Sequence, residues 1–210
     1  MSHYSFFDEV DRIAHTNYVP SMADLIRIPS RSSLSAVMTP NVLTLAPNRS
    51  LYVFNGERQK GSPRQQWSEN FKDVLGIIFT IDLCSYNQFR PDNPRRTKLM
   101  ESLALWDAVI NSKFFTKSMI FLVMSNAAEF KEKIKVYPLS DTFPVFTGGD
   151  DGVKAARFIS DCFRNADRSR GGAGIDQHIV DPMDSKDVQN TWMDIENILY
   201  RLENYMRTSA

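Results

Sequence analysis

Two runs of apolar and β-branched residues, DVLGIIFTIDL (73–83) and KSMIFLVMSN (117–126), set the tightest limit on what this chain can fold into. Neither alternates between apolar and polar positions, so each must be covered on both faces, as a strand inside a parallel sheet is. Between them Leu99, Leu103, Trp106 and Ile110 recur at helical spacing behind Pro94, which predicts a helix with one apolar stripe starting at that proline. The order then repeats. VKAARFISDCF (153–163) reads as a helix, DQHIV (176–180) as a short strand and SKDVQNTWMDIENILYRLENYM (185–206) as a long final helix. In that helix Val188, Trp192, Ile195, Leu199, Leu202 and Met206 form a continuous apolar face, expected to be core against the sheet. Strands alternating with helices imply βαβ units, and hence an α/β fold with a mostly parallel sheet flanked by helices. RSRGGAG (168–174) and FRPDNP (89–94) read as short linkers.

Composition narrows the function classes. The chain has 210 residues, of which 42% are hydrophobic and 24% charged, enough for one sizeable core. Formal net charge is zero, so no global field favours nucleic acid or an anionic membrane surface, and recruitment must rest on specific contacts. Cys84 and Cys162 lie within apolar segments, which fits buried free thiols better than a disulfide framework. No run approaches the roughly 18 apolar residues of a membrane span. The start MSHYSFFDEV lacks both a signal core and the glycine after Met1 that myristoylation requires, so no membrane anchor of the chain's own is expected. His15 and His178 have no cysteine partners at metal-ligand spacing and are read as structural or surface residues. The basic clusters RRTK (95–98) and RNADRSR (164–170) are read as solvated helix ends.

Five stretches then carry a resemblance. FFDEVDRIAHTNYVPSMADLIR (6–27), NGERQ (55–59) followed by WSENFKDVLGIIFTIDLCSYNQ (67–88), MESLALWDAVINSKFF (100–115), FKEKIKVYPLSDTFP (130–144) and HIVDPMDSKDVQ (178–189) occur in the order of a heterotrimeric G-protein alpha subunit. The chain thus resembles the later part of that family. The resemblance implies a Ras-like, P-loop NTPase-type domain over residues 29–210, preceded by a remnant of the helical domain and its linker over 1–28. It also implies GTP or GDP and magnesium as family ligands, GTP hydrolysis as the family activity, and a beta-gamma dimer, receptor or effector as partners. The expected location is the cytoplasm, or the inner face of the plasma membrane through those partners.

Position by position, the family's chemistry is largely replaced. The glycine-rich phosphate loop and the first strand that leads into it would precede residue 1, and the expectation is a domain lacking both. Pro29 stands at the arginine that stabilises transition-state charge, while Ser32 stands at the magnesium-binding threonine and keeps a hydroxyl that could ligate the metal. The family's Asp-Val-Gly-Gly-Gln aligns with Val53, Phe54, Asn55, Gly56 and Glu57, so the metal-holding acid is valine and the water-orienting glutamine is Glu57. Relative to the family, about three additional residues stand before Trp67, within QKGSPRQQ (59–66). The base-reading Asn-Lys-x-Asp aligns with Ser125, Asn126, Ala127 and Ala128, and Ala128 cannot accept the hydrogen bonds a carboxylate would. A second base-reading loop aligns with Val180, Asp181, Pro182 and Met183. The resemblance and these departures together lead to the expectation of a degenerate pseudo-GTPase that needs no nucleotide or metal. Its surfaces would be the switch II face, the face of the helix after it, and the final helix. The alternative is a truncated product of a divergent, GTP-hydrolysing alpha subunit.

A domain without its first strand leaves SLYVFN (50–55) and VLGIIFTI (74–81) short of a ladder partner, and each unpaired buried amide costs about 1–3 kcal/mol. The two strands could pair directly, placing Tyr52 and Phe54 beside Ile77 and Phe79. They could instead keep an open slot filled by a partner strand, or the chain could fold poorly. Direct pairing is the expectation.

Overall fold

The computed structural model describes residues 9–21, 24, 41–46, 49–53, 74–90, 93–168 and 174–208. Pro29, Ser32, Gly56, Glu57 and the residues before Trp67 lie outside these. The chain divides into two compact units, 1–39 and 40–210, while the expected boundary after residue 28 falls among residues outside the description.

The first unit contains a short helix, α1 (Val10–Ile13). It is organised around Asp24, which the Arg12 guanidinium grips with two parallel bonds, Nη1 to Oδ2 at 3.0 Å and Nη2 to Oδ1 at 2.7 Å. The Ser21 amide and hydroxyl add donors at 2.8 and 2.7 Å. Asp24 is buried, and these bonds, led by that from Arg12, hold its carboxyl well below the usual carboxylate range.

The second unit is built on a parallel sheet of β3 (Gly76–Asp82), β6 (Met119–Ser125) and β7 (Ile175–Val180), in the order β3-β6-β7. The central strand explains its own sequence. Ile120, Leu122 and Met124 point into one cluster with Trp106, Phe130, Ile159 and Phe163, whereas Phe121 and Val123 point into another with Val180 and Ile195. Alternate side chains leave opposite faces of a strand, so a strand buried on both sides needs an unbroken apolar run. On the first face lie α2 (Lys98–Ile110), α3 (Ala127–Val136) and α4 (Gly152–Asn165), and on the second α5 (Ser185–Thr208). Helices on both faces of a parallel sheet are the α/β arrangement the alternating pattern implies.

Local signals set the helix starts. The Thr97 hydroxyl accepts from the Met100 amide at 3.3 Å and caps α2, while Asp151 takes the Val153 and Lys154 amides at 3.0 Å each and caps α4. The expected start of α2 at Pro94 is therefore corrected. Pro94 lies in β5 (Asn93–Thr97), which pairs antiparallel with β4 (Phe89–Arg90), so FRPDNP is part of a small hairpin instead of a bare linker. A two-stranded ribbon tolerates a proline because one side of each strand needs no ladder donor.

Direct pairing of residues 50–55 with 74–81 is also overturned. β2 (Arg49–Val53) pairs antiparallel with β1 (Asn41–Ala46), with Leu43 opposite Leu51, and β3 is bonded to β6 alone among the described strands. Only residues 47 and 48 separate β1 from β2, so this local hairpin closes a far shorter loop than pairing with β3 would.

Among the described residues the apolar stripe on α5 is covered only in its middle. Ile195 is buried and Ile198 and Leu199 are partly so, but Val188 is 43% and Met206 49% exposed, and Trp192 is half-buried. The reason is length. At 24 residues the helix runs about 36 Å, whereas seven-residue strands such as β3 and β6 span about 23 Å. Where α5 crosses β3, a Cβ on Gly76 would lie 2.6 Å from Leu199 Cδ2, so a larger residue there would push the tip of the leucine aside.

The strongest packing lies on the other face. Trp106 stands edge-on to Phe79 and Phe163, with ring centroids 5.2 and 5.7 Å away, and its indole N–H donates to the Phe163 carbonyl at 2.7 Å. Replacing Trp106 by alanine should cost about 3–5 kcal/mol in denaturant unfolding. Trp192→Ala should cost clearly less and leave the chain soluble, and equal losses would contradict the partial docking of α5. Burial, reinforced by the nearby Asp82 carboxylate, pushes the Cys84 thiol up to about 12. Only the thiolate alkylates readily, so iodoacetamide at pH 8 should leave Cys84 intact in the folded chain and label it after denaturation, as mass spectrometry would show. Rapid labelling of the folded protein at Cys84 would refute this.

Candidate functional site

Parallel strands end together, and in open α/β sheets ligands collect at the carboxyl ends of the strands. Here the register puts Asp82, Ser125 and Val180 in one row across β3, β6 and β7. The row brings together the loop after β6, with Ser125, Asn126 and Ala128, and the loop after β7, from Asp181 to Met183.

In the first loop the chain turns sharply at Asn126, which has φ 62° and ψ 34°. It is the only non-glycine residue with positive φ among the described residues, and asparagine tolerates this left-handed geometry better than most. The turn sends the Asn126 carboxamide towards β3, where Nδ2 donates to Asp82 Oδ1 at 2.9 Å. The Ser125 hydroxyl donates to the Ile81 carbonyl at 3.0 Å. Ala128 is exposed and brings only a methyl group, and Glu129 beside it is an exposed acid in the first turn of α3, where the helix dipole favours it.

Asp82 is the site residue that the sequence reading missed. Its Oδ1 also accepts the Cys84 amide at 2.9 Å and so caps a 3-10 turn over Leu83–Asn87. The Asn126 carbonyl accepts the Phe130 amide at 2.9 Å and faces the Cys84 thiol, which donates at 3.6 Å. Lys133, the cation of α3 that reaches this region, is spent as well. Its ammonium donates to the Cys84 carbonyl at 2.7 Å and lies 5.4 Å from the centre of the Tyr86 ring. A signal for Asp82 was present in the sequence: one carboxylate at the carboxyl end of an otherwise apolar strand.

The second loop is organised by carboxylates on backbone amides. Asp181 Oδ1 accepts the Met183 amide at 2.9 Å, and Asp187 Oδ2 accepts the Asp181 amide at 2.7 Å. Asp184 takes the Lys186 amide at 2.9 Å at the start of α5. The loop therefore presents acids already committed to its own turns.

The remaining polar candidates lie elsewhere. His178, inside β7, pairs with Asp176 at 3.1 Å and packs near Phe121. Arg96 is exposed on β5. Arg164 donates to Gln177 Oε1 at 3.0 Å, and Arg168 pairs with Asp107 at 3.0 Å, so the cluster 164–170 ties the end of α4 to β7 through the first arginine and reaches α2 through the second. Among the described residues no group of three histidine, cysteine or acidic side chains could hold a metal ion, and no helix is long and apolar enough to cross a membrane.

The model of the G-protein alpha subunit family matches residues 2–199. The guanine nucleotide-binding protein alpha-2 subunit of Kluyveromyces lactis is 31% identical over 205 residues, which is 98% of this chain and 36% of that protein. The alpha-3 subunit of Mycosarcoma maydis is 30% identical over 98% of this chain and 55% of its own length. The alpha-2 subunit of Saccharomyces cerevisiae is 28% identical, with 98% and 44% covered. This chain thus spans between about a third and just over half of these relatives. With the family model matching nearly the whole length, the chain belongs to the G-protein alpha subunit family.

Proposed function

We propose that this chain is a signalling protein of the alpha-subunit family that works through protein contacts and not through GTP hydrolysis. The observation that carries the reading is the state of the loop after β6. Its Ser125 hydroxyl is bonded to Ile81, its Asn126 carboxamide to Asp82, and Ala128 has no acceptor where the family resemblance implies a carboxylate. This donor and acceptor set does not fit the edge of a guanine base. A site that reads polar groups loses discrimination steeply when its partners vanish or are already engaged. Pro29 and Glu57, at the positions aligned with the family's arginine and glutamine, point the same way on sequence alone. No step of phosphate chemistry is assigned to the chain.

The proposed partners are those the resemblance implies: a beta-gamma dimer, and a receptor or effector of G-protein-coupled receptor signalling. They would meet a Ras-like body of residues 29–210 that carries a helical-domain remnant over 1–28. The location proposed is the cytoplasm, or the inner membrane face through those partners. A second reading, a divergent GTP-binding and GTP-hydrolysing subunit, is favoured by the names of the relatives, which describe those proteins as guanine nucleotide-binding.

Titration decides between the two. Calorimetry or a fluorescent GDP or GTP analogue should detect no binding at micromolar nucleotide with magnesium present. Ala128→Asp alone should not create it, because Asn126 stays engaged. Saturable, magnesium-dependent binding by the unaltered chain would overturn the reading.

A further inference from the structure

One side chain at the strand ends joins three separate segments of the chain. Asp82 Oδ1 receives two donors 44 and two residues away in sequence, the Asn126 carboxamide and the Cys84 amide, each at 2.9 Å. Through the first it fixes the left-handed turn at Asn126, whose carbonyl then takes the Phe130 amide and starts α3. Through the second it fixes the turn Leu83–Asn87, whose Cys84 carbonyl receives Lys133 from α3 at 2.7 Å and Gln88 at 3.2 Å. The Cys84 thiol closes the circuit on the Asn126 carbonyl. One carboxylate thus sets the loop after β6, the turn after β3 and the first turns of α3.

We propose that Asp82 is a built-in ligand of the loop after β6: it occupies the Asn126 carboxamide and holds loop and helix in one conformation without nucleotide. This rests on the pseudo-GTPase reading and deepens it. In a switch protein, a loop orders when its ligand arrives and loosens when the ligand leaves. Here the occupant is part of β3 and cannot leave, so the surface formed by α3 and the turn 83–87 is constitutive. The contact is also autoinhibitory. A polar ligand that sought Asn126 would have to displace a charge-assisted hydrogen bond, which weakens its binding about ten- to a hundredfold, and an anion would meet the Asp82 charge besides.

Residue-resolved amide exchange on the whole chain tests this, with Asp82→Ala, Asp82→Asn and the unaltered protein compared with and without magnesium GDP. In Asp82→Ala the Cys84 and Phe130 amides should exchange about ten- to a hundredfold faster, and the Asn126 side-chain amide signals should move to solvent-like values. Asp82→Asn, which keeps an acceptor oxygen, should stay near the unaltered protein. Exchange within twofold of the unaltered protein in Asp82→Ala would overturn the proposal. If that variant fails to fold, Asn126→Ala serves instead. It keeps the Asp82 bond to Cys84 and should accelerate Phe130 alone, while unchanged Phe130 exchange would overturn the proposal. Failure of the pseudo-GTPase reading looks different: magnesium GDP would alter exchange in the unaltered protein, whatever the variants do.

Discussion

Burial of β6 on both faces is the constraint on which the rest of the second unit depends. Its odd and even residues belong to two different clusters, so any slip by one residue would exchange Phe121 and Val123 with Ile120, Leu122 and Met124 and mismatch both layers at once. The fixed register then carries over to the neighbours. Asp82 falls opposite Ser125, and Ser125 opposite Val180, so the polar groups at the strand ends meet because the apolar groups beneath them pack.

At the strand ends the polar groups turn to one another. Ser125, Asn126, Asp181 and Lys133 each have a partner within the chain. Satisfying buried and half-buried polar groups internally stabilises the edge, and it leaves fewer groups free to recognise a ligand. The parallel sheet is retained, and the polar groups named at its rim bond within the chain.

The continuous strand runs were legible in the sequence because burial on two faces leaves an unmistakable pattern, and so were the helices containing Trp106, Ile159 and Ile195. The hairpin around Pro94 was not legible, since a proline after a linker-like stretch signals a helix start as readily as an edge strand. The pairing of β2 with β1 was not legible because the sequence carries no strong hairpin signal between the two strands, although only residues 47 and 48 separate them. The end-to-end stripe on α5 suggested full docking, but sequence periodicity does not report the length of the sheet that must cover it. Asp82 was visible as a lone carboxylate ending an apolar run, but its partner lies 44 residues away, so the contact between them was not legible.

If Asp82 and Asn126 together keep the loop occupied from within, the two side chains are energetically coupled. A double-mutant cycle by denaturant unfolding, using Asp82→Ala, Asn126→Ala and the pair, measures this directly. A charge-assisted hydrogen bond at a part-buried site predicts a coupling of about 1–2 kcal/mol, with the double variant less destabilised than the sum of the singles. Additive losses, with a coupling near zero, would contradict the account.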